Sequence, residues 1–361
     1  MTAFRSESTA FAVSADSGTH WTAEGAWEVA DGLYRIPLPL PTDGLKSVNV
    51  YVLRDAEGLT LIDGGWAIAA GRTVLARCLR SLGFRLGDIR RFLVTHSHRD
   101  HYTMASVLGH ELGATVALGA DERPTLELIR RVGDTGLSFE DALVAAGAPG
   151  LAGAWTSGSE ARLRRLGYLS AHAWHNPDTW LTEGLRIEVD GRQLKAVHTP
   201  GHTPGHFVFA DDRNGVLFAG DHVLPTITPS IGLTLPAPAD PLGAYLGSLG
   251  KILALPDLML LPAHGPVAPS SHARADELLA FHHDRLLAVT AALRDGAQTG
   301  WEVARLLLWT RHERAFAELN GQNQVMAVLE TVAHLDLLVA RGDVTVDMSA
   351  AVRRYTLCPD R

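Results

Sequence analysis

The chain has 361 residues, a length that allows one large domain with an appended segment. Hydrophobic residues make up 46% of the chain and charged residues 20%, a composition typical of globular proteins, which excludes extensive disorder or a fibrous repeat. The formal net charge is −8 at pH 7, so a nucleic-acid partner would need a local basic patch that overcomes the overall sign.

Neither an export signal nor a membrane span is expected. The first twenty residues lack a basic stretch followed by an apolar run, and no later stretch has about 18 consecutive apolar residues. The two cysteines, Cys78 and Cys358, have no CxxC spacing and no clustered histidines beside them. These features predict a reducing, cytoplasmic location.

The first third of the chain alternates strands and helices after a segment, residues 1–24, that we expect to be flexible. Short apolar segments rich in β-formers predict strands, and apolar residues at helical spacing predict helices. The expected strands lie at 33–36, 48–53, 59–62 and 92–94, and the expected helices at 67–82 and 104–112. Such alternation is typical of sheet layers covered by helices.

A helical insertion is predicted at about 120–185. Its expected helices lie at 124–132, 139–146 and 159–166. It carries four aromatic residues, Trp155, Tyr168, Trp174 and Trp180, which either line an apolar substrate pocket or form the insertion's own core. Strands of a second sheet are expected at 185–189, 194–197, 207–209 and 216–219.

The sequence pattern changes at residue 270. Three helices are predicted at 273–294, 301–310 and 322–341, followed by two β-like stretches at 344–348 and 353–357. Three helices and a terminal hairpin predict a winged-helix-like module at 270–361, appended to a catalytic domain at 25–269.

A dense group of metal-ligand side chains follows the strand at 92–94. The sequence THSHRDH places His96, His98, Asp100 and His101 within six residues. Alternate histidines on an extended chain can bind one metal, and the Asp and His that follow can turn toward a second. The alternative is a histidine-rich surface loop.

Three later segments repeat this design. His202 lies in the turn HTPGHTPGH, Asp221 ends the apolar stretch FAGD, and His264 follows the apolar stretch LMLLPA. A carboxylate can bridge two cations and neutralise part of their charge. We expect the four segment ends to converge on one edge of the fold, with His198 and His206 outside the ligand set.

These motifs resemble, in order, those of the metallo-β-lactamase superfamily: HSHRDH, HTPGH, GD and PAHG, over roughly residues 30–268. The resemblance implies an α+β fold, a four-layer αββα sandwich, and two divalent metal ions. It assigns His96, His98 and His202 to one ion and Asp100, His101 and His264 to the other. By the same resemblance Asp221 bridges both ions.

Two further expectations concern the surroundings and the identity of the metals. Asp63, in LIDGG, matches a family position near the ions; we expect it to hydrogen-bond to a ligand, the alternative being a turn-forming residue. The ligand set suits zinc, although iron or manganese would also be accommodated.

The resemblance also implies hydrolysis by a water that the two metals share and activate, with Asp100 orienting it or passing its proton to the leaving group. Antibiotic-hydrolysing β-lactamases have cysteine or histidine at the bridging position, so Asp221 favours the glyoxalase II, lactonase and thioesterase branch. We predict a small-molecule ester, thioester or lactone substrate with an apolar acyl or aromatic part.

The alternative is a metal-dependent endoribonuclease, since the C-terminal pattern resembles the appendage of the β-lactamase-like endoribonuclease family. Acidic and basic side chains are about equal in number after residue 270, whereas affinity for nucleic acid needs clustered cations. A non-catalytic descendant is a third reading, weakened by the retention of every ligand. We therefore expect a small-molecule partner, neither nucleic acid nor membrane, and leave a homodimer open.

Overall fold

In the computed structural model, residues 12–41, 45–133, 137–155 and 173–359 are described. A seven-stranded and a five-stranded sheet pack face to face, and helices cover the outer face of each. The layers are therefore helix, sheet, sheet and helix, in agreement with the order expected from the sequence.

The first sheet contains seven strands in chain order: β1 (Trp27–Ala30), β2 (Leu33–Pro39), β3 (Ser47–Asp55), β4 (Gly58–Ile62), β5 (Ile89–Leu93), β6 (Thr115–Gly119) and β7 (Thr179–Leu181). Strands β1 to β4 are antiparallel, and β2 to β4 correspond to the strands expected at 33–36, 48–53 and 59–62; strands β4 to β7 are parallel. Strands β1, β6 and β7 were not predicted. Strand β7 lies inside the predicted helical insertion, and with three residues it depends on pairing with β6 rather than on a local pattern.

Two helices, α1 (Ala69–Ser81) and α2 (Arg99–Leu112), contribute buried side chains to the core on the outer face of this sheet. Helix α2 begins five residues before the predicted start at residue 104. The backbone N–H groups of His101 and Tyr102 already donate to the carbonyl of His98. Asp100 and His101 therefore lie in the first turn of the helix, and His96 and His98 precede it.

The second sheet has the order β12-β11-β10-β9-β8. Its strands are β8 (Arg186–Val189), β9 (Arg192–His198), β10 (Phe207–Asp211), β11 (Val216–Gly220) and β12 (Met259–Pro262). Phe209 and Phe218 pack against Leu53 and Ile62 of the first sheet in the core between the two sheets. Strands β9, β11 and β12 run in one direction, so their carboxyl ends meet at one edge.

The region predicted as an insertion contains α3 (Arg123–Val132) and α4 (Glu140–Ala145). The third predicted helix, at 159–166, lies outside the described residues. Helix α5 (Pro241–Leu253) was not predicted from the sequence. Asp240 caps this helix by accepting a hydrogen bond from the Gly243 backbone N–H at 2.8 Å.

The C-terminal segment has the predicted three helices and hairpin, together with a short strand pair. The elements are α6 (Ser271–Arg294), α7 (Gly300–Leu306), β13 (Leu308–Trp309), β14 (Arg314–Ala315), α8 (Gly321–Arg341), β15 (Val344–Asp347) and β16 (Arg354–Leu357). Leu278, Val303 and Leu335 from these helices share one core with Leu217 and Leu260 of the second sheet. The winged-helix interpretation and the boundary at 269/270 stay predictions. None of the helices in the described part combines the length and hydrophobicity needed to cross a membrane.

A buried cation ties the N-terminal segment to the first sheet. Arg35 is fully buried on β2, and its Nε lies 2.6 Å from Asp16 Oδ2. Its Nη1 donates to the Asn49 side-chain oxygen at 3.0 Å, and Asn49 Nδ2 donates to the carbonyls of Pro262 and Gly265, both at 2.9 Å. From residue 12 onward, the segment expected to be flexible is therefore linked to the loop that carries His264.

Replacement of Asp16 by Ala leaves the Arg35 guanidinium buried without its counter-ion. We expect the free energy of unfolding to fall by about 3–5 kcal/mol, measured by urea denaturation. Glu24→Gln, which breaks an exposed ion pair with Arg77, is the control and should cost less than about 1 kcal/mol. Equal losses in the two variants would contradict the role given to Asp16.

Candidate metal centre

The seven side chains predicted as metal ligands lie together at the edge where the strand ends meet. They form two groups, within each of which the ligand atoms lie no more than 4.8 Å apart. The first group contains His96, His98, His202 and Asp221, and the second contains Asp100, His101 and His264. Four segments that are remote in sequence thus supply one polar cluster.

Asp221 follows β11 and faces both groups. Its Oδ2 lies 3.5 Å from His202 Nε2, whereas its Oδ1 lies 3.6 Å from His101 Nε2 and 3.4 Å from His264 Nε2. One carboxylate oxygen thus points toward each group, which is the orientation required of a bridging ligand. The side chain is 9% exposed, so its charge depends on these neighbours rather than on water.

The remaining contacts complete each group. Asp100 Oδ2 lies 3.3 Å from His264 Nε2 and 3.7 Å from His101 Nε2. In the first group, His98 Nδ1 lies 3.0 Å from His202 Nε2. The side chain of Asp100 is 15% exposed, so of the two carboxylates at the centre it is the more accessible to solvent.

Four buried ligand atoms in this cluster have no hydrogen-bond partner among the described residues: His96 Nε2, His101 Nε2, His264 Nε2 and Asp221 Oδ1. Buried polar atoms are nearly always paired, because an unpaired one loses its interaction with water without replacement. Imidazole nitrogens and carboxylate oxygens are the ligands that zinc and similar divalent cations prefer. The residues present therefore fit metal ions.

The other ring nitrogen of four histidines is held by an oxygen atom. The partners of Nδ1 are Asp63 Oδ2 for His101 (2.9 Å), the Ser47 carbonyl for His264 (2.8 Å), the Ser230 carbonyl for His202 (2.8 Å) and Thr95 Oγ1 for His96 (3.0 Å). Carboxylates and carbonyls only accept, so His101, His264 and His202 donate from Nδ1. Their Nε2 atoms then face the centre as the ligand atoms.

Asp63 makes the contact expected of it and one more. Its Oδ2 accepts from His101, and its Oδ1 accepts from the Thr95 backbone N–H at 2.8 Å. The Thr95 hydroxyl also donates to this carboxylate, so its oxygen is free to accept from His96. Asp63 has a backbone φ of 60°, as a turn residue can have, but its buried side chain also positions both histidines.

The electrostatics divide the centre in two. Burial alone would lower the pKa of His101, but Asp221, Asp100 and Asp63 raise it to about 10. Burial, reinforced by the adjacent His202, lowers the pKa of His98 to about 3. Burial alone would raise the pKa of Asp100, but His101 and His264 hold it well below its usual range. Without metal, positive charge therefore collects on His101 and His98 stays neutral.

Two buried residues next to the ligands were not assigned a role from the sequence. His206, which we expected not to be a ligand, lies outside both groups; its Nε2 accepts from the Asp221 backbone N–H at 3.2 Å. Glu122 accepts from the hydroxyls of Ser97 and Thr203. No local sequence pattern indicates the contacts of His206 or Glu122. Glu122 lies where the sequence predicts the start of the helical insertion.

The aromatic residues predicted to line a pocket do not share one environment. Trp155 packs edge-on against Phe139, with ring centroids 5.0 Å apart, next to the core of the second sheet. Trp174 and Trp180 pack instead against the outer core of the first sheet. Tyr168 lies outside the described residues. For the three tryptophans, the contacts favour a packing role over a common substrate pocket.

Comparison with known proteins links this geometry to a family. The sequence model described as metallo-β-lactamase superfamily matches residues 43–264. A probable metallo-hydrolase of Bacillus subtilis is 25% identical over 318 residues, which is 86% of this chain and 92% of that protein. Residues 43–264, which the family model matches, contain all seven ligand candidates.

Two solved structures extend the similarity to the C-terminal segment. A metallo-β-lactamase family protein from Thermus thermophilus is 30% identical with a TM-score of 0.74, and the match covers 92% of this chain and 100% of that one. A β-lactamase domain protein from Burkholderia ambifaria is 26% identical with a TM-score of 0.77, covering 96% and 97%. The similarity in both therefore includes most of the C-terminal segment.

A shorter similarity involves a protein with a named activity. An atrochrysone carboxyl ACP thioesterase from Paecilomyces divaricatus is 34% identical over 90 residues, which is 25% of this chain and 26% of that protein. The match covers only about a quarter of either chain, so it does not transfer the activity of the whole protein.

We expect Asp63→Asn to weaken zinc binding by about 10–100-fold. The Thr95 backbone N–H would hold the amide oxygen, so the amide NH₂ group would face His101 and favour the tautomer that protonates Nε2, the ligand atom. Affinity is measured by competition with a chelator, and Asp31→Asn, at an exposed position, is the control. Wild-type affinity in Asp63→Asn would refute this role.

Metal binding at pH 7 should release protons. Because the pKa of His101 is about 10 in the metal-free protein, a metal must displace that proton to bind Nε2. Affinity should therefore fall as pH is lowered from 10, about tenfold per pH unit for each proton displaced. Calorimetric titration with Zn²⁺ in two buffers of different ionisation enthalpy measures the release, and a buffer-independent heat would count against it.

Proposed function

Because the chain belongs to the metallo-β-lactamase superfamily, we propose that it hydrolyses an ester, thioester or lactone bond of a small molecule at a centre for two divalent metal ions. The observation that carries the proposal is the orientation of Asp221, whose two oxygens each face a different group of imidazoles. A site for a single ion would not need a carboxylate placed between two ligand groups.

In this proposal His96, His98 and His202 would hold one ion and Asp100, His101 and His264 would hold the other, with Asp221 as the ligand shared between the two groups. When bound, such ions lower the pKa of water toward neutrality and polarise a substrate carbonyl. The chain then needs no serine or cysteine nucleophile. We propose zinc because nitrogen and carboxylate ligands in this number suit it.

Asp100 is the residue that we propose to handle the proton. Its Oδ2 contacts His264 and His101, and its low pKa keeps the carboxylate ionised at neutral pH. The partial exposure of its side chain places it where a substrate reaches the centre. We assign its Oδ1 to orienting the attacking water and passing a proton to the leaving group.

The proposal favours thioesters because the Paecilomyces relative is named as a thioesterase, and lactones because they need the same attack on a carbonyl. Trp155 and Trp180 give no support for an apolar acyl part, since each packs against a core. The proposed bond types are therefore ester, thioester and lactone, and the acyl group is to be found by experiment. A cytoplasmic location is part of it, because both cysteines are free thiols.

The endoribonuclease alternative gains no support from the C-terminal segment. Its helices share a core with the second sheet, so their apolar faces are used in packing within this chain. We propose that the segment supports the catalytic sheet.

The test is an assay of the metal-loaded protein on acyl-CoA thioesters, lactones, nitrocefin and single-stranded RNA. We expect hydrolysis of a thioester or lactone. Asp221→Ala and His202→Ala should each lose more than about 100-fold in kcat/KM, because loss of a ligand exceeds the 10–100-fold typical of residues that only support ligands.

Asp212→Ala, at an exposed aspartate in the turn before β11, is the matched control and should keep wild-type activity. Cleavage of RNA alone would establish the endoribonuclease reading instead. Failure to hydrolyse any ester, thioester or lactone with two ions bound would defeat the proposal.

A further inference from the structure

We propose that Glu122 is a positioning residue that fixes the His96, His98 and His202 side chains for one metal ion by joining the two loops that carry them. This inference rests on the proposed metal centre and concerns how the protein builds it. Glu122 is not itself among the seven ligand candidates.

The contacts of Glu122 reach both loops. Its side chain is fully buried in the turn after β6. One carboxylate oxygen, Oε2, accepts from the hydroxyl of Ser97, which stands between His96 and His98. The other, Oε1, accepts from the hydroxyl of Thr203, which follows His202, and from the Gly205 backbone N–H at 3.2 Å. Each donor is thus next to, or three residues from, a metal ligand.

Two glycines allow this close approach. A Cβ atom on Gly205 would lie 2.5 Å from the Glu122 backbone nitrogen, and one on Gly119 would lie 1.9 Å from the Gly205 carbonyl oxygen. The backbones of the turn and of the HTPGH loop are therefore in direct contact. A side chain at either position would separate Glu122 from the loop that carries His202.

Two opposing effects act on the pKa of the Glu122 carboxyl group. Burial raises its pKa, and the hydrogen bonds from Ser97, Thr203 and Gly205 oppose that rise. These donors are neutral hydroxyl and amide groups. A cation held by His96, His98 and His202 would lie beside residues that Glu122 contacts, and it would favour the ionised form of this carboxylate.

The geometry separates the roles of charge and of hydrogen bonding. In Glu122→Gln the Gly205 N–H can only donate, so the amide oxygen stays on that side and the NH₂ group faces Ser97. The Ser97 hydroxyl can rotate to accept, because a hydroxyl both donates and accepts. Glu122→Gln therefore keeps the link between the loops, whereas Glu122→Leu removes it at similar volume.

The experiment measures metal affinity without any substrate. In a His264→Ala background, which removes a ligand of the second group, Co²⁺ binding to the first group is followed by its absorption spectrum and by chelator competition. We expect Glu122→Leu to weaken Co²⁺ binding by about 10–100-fold and Glu122→Gln by less than about tenfold. Glu127→Leu and Glu127→Gln, at an exposed position on α3, are matched controls and should match the background protein.

A purely structural role predicts a different result, namely a lower melting temperature of the metal-free protein with unchanged affinity of the folded protein. Should Glu122→Leu not fold, Ser97→Ala combined with Thr203→Val removes the same hydroxyl donors and should reproduce the loss. In a His202→Ala background, Glu122→Leu should leave Co²⁺ binding to the second group within about threefold, since Glu122 contacts neither Asp100 nor its partners.

Background-level affinity in Glu122→Leu, or equal losses in both backgrounds, would overturn the proposal. These outcomes are independent of the proposed function. The proposed function fails only if the metal-loaded enzyme hydrolyses none of the carbonyl substrates.

Discussion

The structure depends on a group of buried ligand atoms that face one another at the metal centre without a hydrogen-bond partner among the described residues. His96 Nε2, His101 Nε2, His264 Nε2 and Asp221 Oδ1 each lose water without gaining a partner among the described residues. Each such loss costs about 1–3 kcal/mol. The fold sustains this cost because the other ring nitrogen of each of these histidines is hydrogen-bonded, and a pair of cations would offset it.

The two-sheet architecture explains how atoms so remote in sequence reach one point. Strands β4 and β5 are parallel in the first sheet, and β9, β11 and β12 share a direction in the second. Their carboxyl ends meet at one edge when the sheets pack face to face. Asn49, on a strand of the first sheet, links the two sheets at this edge. Its side chain donates to the carbonyls of Pro262 and Gly265, on either side of His264.

The sequence predicted the seven ligand candidates because each lies in a short motif that comes soon after an apolar strand. It predicted strands β2 to β5 because each contains a continuous run of β-forming residues. It predicted Asp63 but missed Glu122, because the contacts of Glu122 are long-range: this residue lies 25 residues from Ser97 and 81 from Thr203. Strand β7 was missed likewise, since three residues carry too little pattern to be distinguished from the helices around them.

The tryptophans show a second limit. Trp155 and Trp180 are large, apolar and close in sequence, and composition alone cannot tell a pocket wall from a core. The structure places them beside different cores, Trp155 beside that of the second sheet and Trp180 beside the outer core of the first. The contacts of these residues therefore give no information on the acyl group of a substrate.

A backbone contact links the C-terminal segment to the loop that hydrogen-bonds to His202. The Ser230 carbonyl accepts from His202 Nδ1 and so orients this ligand. Two residues later, Gly232 has a φ of 88°, and a Cβ atom there would lie 2.9 Å from the Leu329 carbonyl of α8. Helix α8 thus packs directly against the loop that orients His202. The apolar faces of this segment also pack inward onto the second sheet.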